Sequence, residues 1–283
     1  MIRILANDGI DPAGKKILSD AGFEVVTDKV SQENLAEGLK AFDAILVRSA
    51  TQVRKEHIDA CPNLKLIGRA GVGMDNIDVA YAREKGLHVV NTPEASSQSV
   101  AELVFANLFA LARFVPDASR NMPGSESKEQ FNALKKKYSD GIELRGKTIG
   151  IIGFGMIGQA VARMAIGLGM KVLPFKRNAA DVTIDLNFLQ AANTSVSVRL
   201  SCVPFDQLLS QSDFITLHVP FHKGSAPILG SAEFAQMKKG AYIVNTARGG
   251  VVSESELLAA LDSGQIAGAG LDVLKANLSS NLN

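Results

Sequence analysis

Short aliphatic runs alternate with amphipathic helical stretches along almost the whole chain, and that alternation limits its fold more than any other feature. The segments IRILAN, FEVV, DAILVRS, LKLIGRA and HVVNTP read as strands, and helical patterns such as NLAEGLKAF and VAYAREKG lie between them. Strands separated by helix-length connections assemble as a parallel sheet with crossover helices. A second alternation begins at KTIGIIGFG and runs through IGQAVARMAIGLG, KVLPF, DFITLHVP, SAEFAQMKKG, AYIVNTA and SESELLAALDSG to the strand IAGAGLDV. The expected class is therefore α/β, with two doubly wound parallel-sheet domains. Residues 183 to 202 interrupt the second series and read as a hairpin excursion.

Between the two series a long helix opens at a capping box, Ser99 with Glu102, and runs through VAELVFANLFALARFV until Pro116 stops it. Its apolar residues go nearly all the way round, which predicts burial between domains or subunits. Residues 117 to 145 are rich in Lys, Ser and Gly and read as a loop or arm. At 283 residues and 46% hydrophobic, the chain can bury one large core or two medium ones. Thirty Lys and Arg against 29 Asp and Glu leave a formal net charge of +1, which gives no overall pull towards nucleic acid or an anionic membrane. Asp8 stands where a signal peptide would need its apolar core, and no apolar run approaches the roughly 18 residues of a membrane span, so a cytoplasmic protein is expected. Cys61 and Cys202 show neither metal nor redox spacing; they read as reduced thiols, and no metal site is expected.

The main chemical signal is GIIGFGMIG, which sets Gly153, Gly155 and Gly158 in G-x-G-x-x-G spacing between an apolar strand and a helix that opens at Met156 and Ile157. The first glycine permits a tight turn, the second lets a pyrophosphate approach the backbone at the helix N-terminus, and the third lets helix and strand pack closely. At the tip of the next strand, where an acidic residue would accept from the ribose hydroxyls, the chain has Lys176 and Arg177. Two readings stand: cations suited to a 2′-phosphate, or surface charges at a strand end. In NTARGGVV, Arg248 follows a strand at the edge where doubly wound sheets bind ligands; its guanidinium can grip a carboxylate with two hydrogen bonds while polarising a neighbouring carbonyl. The bland alternative is a surface ion pair. VRSAT at 47 to 51 and LIGRAGVGMDNID at 66 to 78 lie at strand ends of the first domain, where exposed backbone N–H groups can receive a carboxylate, unless they are ordinary βα turns.

Taken in order, VRSAT, GRAGVGMDNID, NTPEASSQSVAEL, ELRGKTIGIIGFGMIG, SDFITLHVP, NTARGGVV and AGAGLDV resemble the D-isomer-specific 2-hydroxyacid dehydrogenases over residues 1 to about 274. Within that family the chain is most similar to members without a regulatory domain that act on D-3-phosphoglycerate. The resemblance implies a flavodoxin-like substrate domain at 1–98, a Rossmann NAD(P)-binding domain at 99–277 and a truncated tail at 278–283. It implies oxidation of D-3-phosphoglycerate to 3-phosphohydroxypyruvate in serine biosynthesis, with NAD as cofactor and NADP open through Lys176 and Arg177. Formate, phosphite, glycerate and lactate members share the scaffold, and a glyoxylate or hydroxypyruvate reductase is an alternative.

The residue roles follow from the same resemblance. Arg248 matches the carboxylate clamp and Asp272 the residue that meets the nicotinamide amide. Ala70, Gly71 and Val72 match a turn whose backbone binds the substrate carboxylate. Arg48, with Ser49 beside it, matches a phosphate position, and Lys135 supplies another from a neighbouring subunit of a homodimer. His218, Val219 and Pro220, together with Thr246 and Ala247, line the edge of the cofactor site. The family's orienting Glu has no match, Asn277 standing nearest, and its catalytic His has none; His57, His88 and His222 carry no role, and His218 supports its loop. Either the chain is a truncated form of a dehydrogenase, or it is a nucleotide-binding regulatory protein without turnover.

Overall fold

The computed structural model describes residues 1–178, 180–186, 196–222 and 224–275, and the chain parts into two compact units, Met1–Ser96 and Ser97–Asn283. Asn277, the tail at 278–283 and the centre of the excursion, 187–195, lie outside the described residues.

The first unit holds β1 (Arg3–Ala6), β2 (Glu24–Val26), β3 (Ala44–Val47), β4 (Leu66–Arg69) and β5 (His88–Asn91), paired in parallel in the order β2-β1-β3-β4-β5. Helices α1 (Pro12–Asp20), α2 (Leu35–Gly38), α3 (Lys55–Asp59) and α4 (Val79–Glu84) make the connections. Leu5, Ile45 and Ile67 from adjacent strands are fully buried with Leu35 and Leu39. α1 starts where its sequence says it should: Asp11 accepts from the Ala13 N–H and Pro12 occupies the first turn, where a missing N–H costs nothing.

The second unit opens with α5 (Ser97–Ala112), α6 (Val115–Asn121) and α7 (Lys128–Tyr138). Its sheet orders β6 (Thr148–Ile152), β7 (Lys171–Phe175), β10 (Phe214–Leu217), β11 (Ala241–Asn245) and β12 (Ile266–Leu271) as β12-β11-β10-β6-β7, all parallel. α8 (Met156–Gly167), α9 (Phe205–Gln211), α10 (Ser231–Gln236) and α11 (Glu254–Asp262) connect them. Alternate strand residues serve two cores: Ile149, Ile151, Phe214 and Val244 pack with α5 and α8, whereas Ile152, Ile215, Leu217 and Ile243 pack with α9, α10 and α11. Burial on both faces is why these strands read as unbroken apolar runs. The excursion forms an antiparallel pair, β8 (Val182–Leu186) with β9 (Val196–Leu200), and its Ile184 and Leu186 join the α8 core.

Two expectations are corrected. The long helix begins at Ser97, two residues before the expected cap, and ends at Ala112. Phe114 then takes a left-handed φ of 54°, and Pro116 sits in the first turn of α6, so the proline starts a helix where it was expected to end one. Residues 117 to 145 are no simple loop, since they contain most of α6 and all of α7. Ser127 caps α7 by accepting from the Gln130 N–H, and Lys135, Lys136 and Lys137 occupy its last turn, where the helix dipole favours cations. Among the described residues no single helix is long and apolar enough to cross a membrane, and no cluster of side chains is arranged to hold a metal.

Candidate functional site

In the second unit the strand order reverses at β6, with β7 on one side and β10, β11 and β12 on the other. At the C-terminal end of this switch point the His218 N–H donates to the Ile152 carbonyl at 2.7 Å and the Gly153 N–H donates to the Phe175 carbonyl at 2.9 Å. The three glycines then divide the work. Gly153 has φ of 95°, and a Cβ there would run into the His218 carbonyl and lie 2.7 Å from Cγ1 of Val219. A Cβ on Gly158 would collide with the Gly153 carbonyl and press on Ile151, so this glycine seats α8 against β6. Gly155 differs: its φ is −85°, and a Cβ on it would meet nothing within 4 Å. It is also the N-cap of α8, and no side chain caps that helix, so the first N–H groups, those of Met156 and Ile157 among them, donate to no protein acceptor among the described residues.

Two sealed polar atoms lie at the ends of the neighbouring strands β10 and β11. Nδ1 of His218 and Oγ1 of Thr246 are shut off from solvent and have no partner. Nε2 of His218 is 3.0 Å from Oγ1 of the fully buried Thr216, and burial of the ring lowers its pKa to about 4. An open glycine at an uncapped helix end, together with two unsatisfied polar atoms just after β10 and β11, fits a dinucleotide. Lys176, half-buried, and Arg177, exposed, follow β7 at the same end of the sheet; Val219 is half-buried and Pro220 exposed.

Arg248 stands on a turn that a buried asparagine shapes. Oδ1 of Asn245 accepts from the Ala247 N–H at 3.0 Å and its Nδ2 donates to the Arg248 carbonyl at 3.0 Å. The Arg248 guanidinium donates to the Ala247 carbonyl at 2.7 Å. The chain leaving β12 passes directly over the next residue, because a Cβ on Gly249 would collide with the Leu274 carbonyl and lie 2.8 Å from the Lys275 nitrogen. Asp272, exposed, is tied to this turn by its own N–H, which donates to the Asn245 carbonyl at 3.0 Å.

In the first unit Arg48 and Ser49 are exposed at the end of β3. The turn at 70 to 72 is more committed than the sequence suggests. The Ala70 N–H donates to the Val47 carbonyl at 2.9 Å and the Gly71 N–H donates to Oγ1 of Thr92 at 2.8 Å, which leaves Val72 as the donor of the three without a protein acceptor among the described residues. Lys135 is exposed on α7. Sequence reasoning gave no site role to Asn245, Thr216, Asp8 and Asn76, although an Asn or Asp in the turn that leaves a strand is a known shaper of backbone.

Residues 105–281 match the family model described as D-isomer specific 2-hydroxyacid dehydrogenase, NAD binding domain. The D-3-phosphoglycerate dehydrogenase of Methanocaldococcus jannaschii is 41% identical over 275 residues, which cover 97% of this chain and 49% of that protein. The hydroxypyruvate reductase of Thermotoga maritima is 39% identical over 274 residues, covering 96% of this chain and 83% of that protein. The chain thus spans about half the length of the phosphoglycerate dehydrogenases that it matches. Among solved structures, an acyclic imino acid reductase in complex with NADPH and D-Arg superposes with a TM-score of 0.79 at 30% identity, over 97% of this chain and 83% of that one.

Proposed function

Since the chain belongs to the D-isomer-specific 2-hydroxyacid dehydrogenase family and carries its NAD(P)-binding domain, we propose that it oxidises D-3-phosphoglycerate to 3-phosphohydroxypyruvate, a step in serine biosynthesis. The observation that supports this most is the Arg248 turn. It leaves β11 at the same C-terminal sheet edge as the glycine turn, and Asn245 fixes its backbone.

In this reading Arg248 grips the substrate carboxylate and polarises the oxygen on C2, which stabilises charge as a carbonyl forms. Arg48, Ser49, Val72 and Lys135 are assigned to the substrate's anionic groups. Gly155 and the N–H groups of Met156 and Ile157 hold the pyrophosphate, and His218, Thr246 and Asp272 meet the rest of the nucleotide. When bound, the nicotinamide supplies the hydride acceptor. His218 is unsuited to take the hydroxyl proton: with a pKa of about 4 and Nε2 engaged by Thr216, it is a weak base at neutral pH, so in this reading the proton passes to solvent water as the hydride leaves C2. Leu103 and Phe109 on α5 and Phe131 on α7 are exposed apolar side chains, which supports a homodimer.

A second reading, reduction of hydroxypyruvate, is supported by the Thermotoga reductase, which is 39% identical over 96% of this chain. Steady-state assays in both directions test the two. 3-Phosphoglycerate, 2-hydroxyglutarate and D-glycerate are offered with NAD and NADP, and hydroxypyruvate with the reduced cofactors. Phosphoglycerate is expected to give the highest kcat/KM, and Arg248→Ala to abolish turnover while NADH still binds. A preference for hydroxypyruvate selects the second reading; NADH binding with no turnover of any substrate selects a regulatory protein.

A further inference from the structure

We propose that Asp8 and Asn76 are positioning residues that hold the turn at 48–51 in its anion-accepting form and so set the affinity for the substrate's anionic end. The inference rests on the substrate assignment above and adds two residues that assignment does not contain.

Four backbone groups carry it. Oδ2 of Asp8 accepts from the N–H groups of Arg48 and Thr51, at 2.7 and 3.1 Å, while Oδ1 accepts from the Thr51 hydroxyl at 2.6 Å. On the carbonyl side, Nδ2 of Asn76 donates to the Arg48 and Thr51 carbonyls, at 2.9 and 2.7 Å. The first and last residues of the turn are therefore pinned at both backbone groups by two side chains from two other loops. Thr51 is buried and further held by Nδ2 of Asn7 at 2.8 Å. Between the pins, Ser49 and Ala50 are exposed, and among the described residues their N–H groups donate to no protein acceptor. A short loop with free ends would fluctuate; with its ends fixed it presents two adjacent donors, the arrangement that receives an anion.

Asn76 also reaches the second turn. Its Oδ1 accepts from Nε of Arg69 at 3.3 Å, and Arg69 directly precedes the turn at 70 to 72. One amide side chain thus ties together both segments assigned to substrate in this unit.

The charge on Asp8 makes the inference decidable. Burial would raise its pKa, but the Thr51 hydroxyl and the backbone donors of Arg48 and Thr51 together hold it below the usual 3.8, so it is ionised at neutral pH. A carboxylate beside an anion site opposes binding by simple Coulomb repulsion. Removing the charge with Asp8→Asn would then tighten anion binding if Asp8 were only a nearby charge. The positioning role demands the opposite sign, because an asparagine oxygen accepts the Arg48 and Thr51 N–H groups without the charge that strengthens those bonds, and its NH₂ group cannot accept from the Thr51 hydroxyl.

The test uses the full chain with ¹⁵N labelling and 3-phosphoglycerate as probe, with D-glycerate as the phosphate-free control. Shifts of the Ser49 and Ala50 amides report binding, and NADH fluorescence reports the second unit. Asp8→Asn and Asn76→Asp are each expected to weaken phosphoglycerate binding about tenfold, with the NADH Kd within about twofold of wild type. Unchanged or tighter phosphoglycerate binding in Asp8→Asn overturns the inference while leaving the substrate reading intact. Absence of any shift at Ser49 and Ala50 in the wild-type chain overturns both. Should a variant fail to fold, amide exchange in the wild type decides: slow exchange at Arg48 and Thr51 beside fast exchange at Ser49 and Ala50 is expected, and equal rates at all four overturn the clamp.

Discussion

Replacing Gly155 with alanine separates a glycine kept for its ligand from one kept for the fold. The backbone at Gly155 is extended, with φ of −85°, and a Cβ there has no neighbour within 4 Å. Folding stability should therefore change by less than about 0.5 kcal/mol, or rise slightly as the unfolded chain loses freedom. The methyl group would project into the space given to the pyrophosphate. Losing two charge-assisted hydrogen bonds, at a conservative ~1.5 kcal/mol each, comes to ~3 kcal/mol, roughly a hundredfold in Kd. Gly153→Ala is the contrast. A left-handed φ for alanine costs about 1–2 kcal/mol, and the overlap with the His218 carbonyl brings the total to about 2–4 kcal/mol of stability. Thermal melts and NADH titrations on both variants measure the two quantities independently. If Gly155→Ala bound NADH as tightly as wild type, the pyrophosphate could not lie on this turn, and the assignment of Met156, Ile157 and Gly155 would fall with it.

Further outcomes are expected of other residues. Lys176→Asp should shift affinity from NADP towards NAD by about fivefold or more, since it replaces attraction of a 2′-phosphate with repulsion; an unchanged Kd ratio removes Lys176 from the ribose end. The His218 ring, with its folded pKa lowered to about 4 from 6.5, should show no titration of its NMR resonances between pH 8 and pH 5. Because the unfolded ring takes up a proton below 6.5 and the folded ring does not until about 4, its burial makes the fold lose stability as pH falls through that window; His218→Gln should flatten that limb of the melting curve. Asn245→Ala should cost about 1–3 kcal/mol in denaturant unfolding, because it leaves a buried turn unbraced, and should raise the hydroxy-acid KM more than the NADH Kd. Equal effects on both would mean that the turn serves the fold alone.

What the sequence revealed, and what it hid, divides along physical lines. The parallel strands were legible because burial on both faces demands apolar runs, and the glycine turn because only glycine satisfies a left-handed φ at Gly153 and close packing at Gly158. α7 was missed although its signals were present, Ser127 at the cap, Glu129 in the first turn and three lysines in the last; its composition is mostly polar, and Phe131, Leu134 and Tyr138 make only a short apolar stripe. The commitment of the Ala70 and Gly71 N–H groups could not be read in advance, since their acceptors, Val47 and Thr92, are distant in the chain. The same holds for Asp8 and Asn76, whose function is defined by backbone groups that only the fold brings to them.

The parallel pairing of β6 with β10 has a consequence for the order in which the protein is made. Thr148 and Asp213, which join the starts of these two strands, are 65 residues apart. Gly153 is shaped by the carbonyl of His218, so the nucleotide turn has no native wall until the ribosome has passed that residue. Nascent chains released before β10 will carry an intact glycine motif and an exposed apolar β6 edge, yet no site. Capture of stalled chains on immobilised nucleotide should begin abruptly once His218 has cleared the exit tunnel, long after the motif itself has emerged.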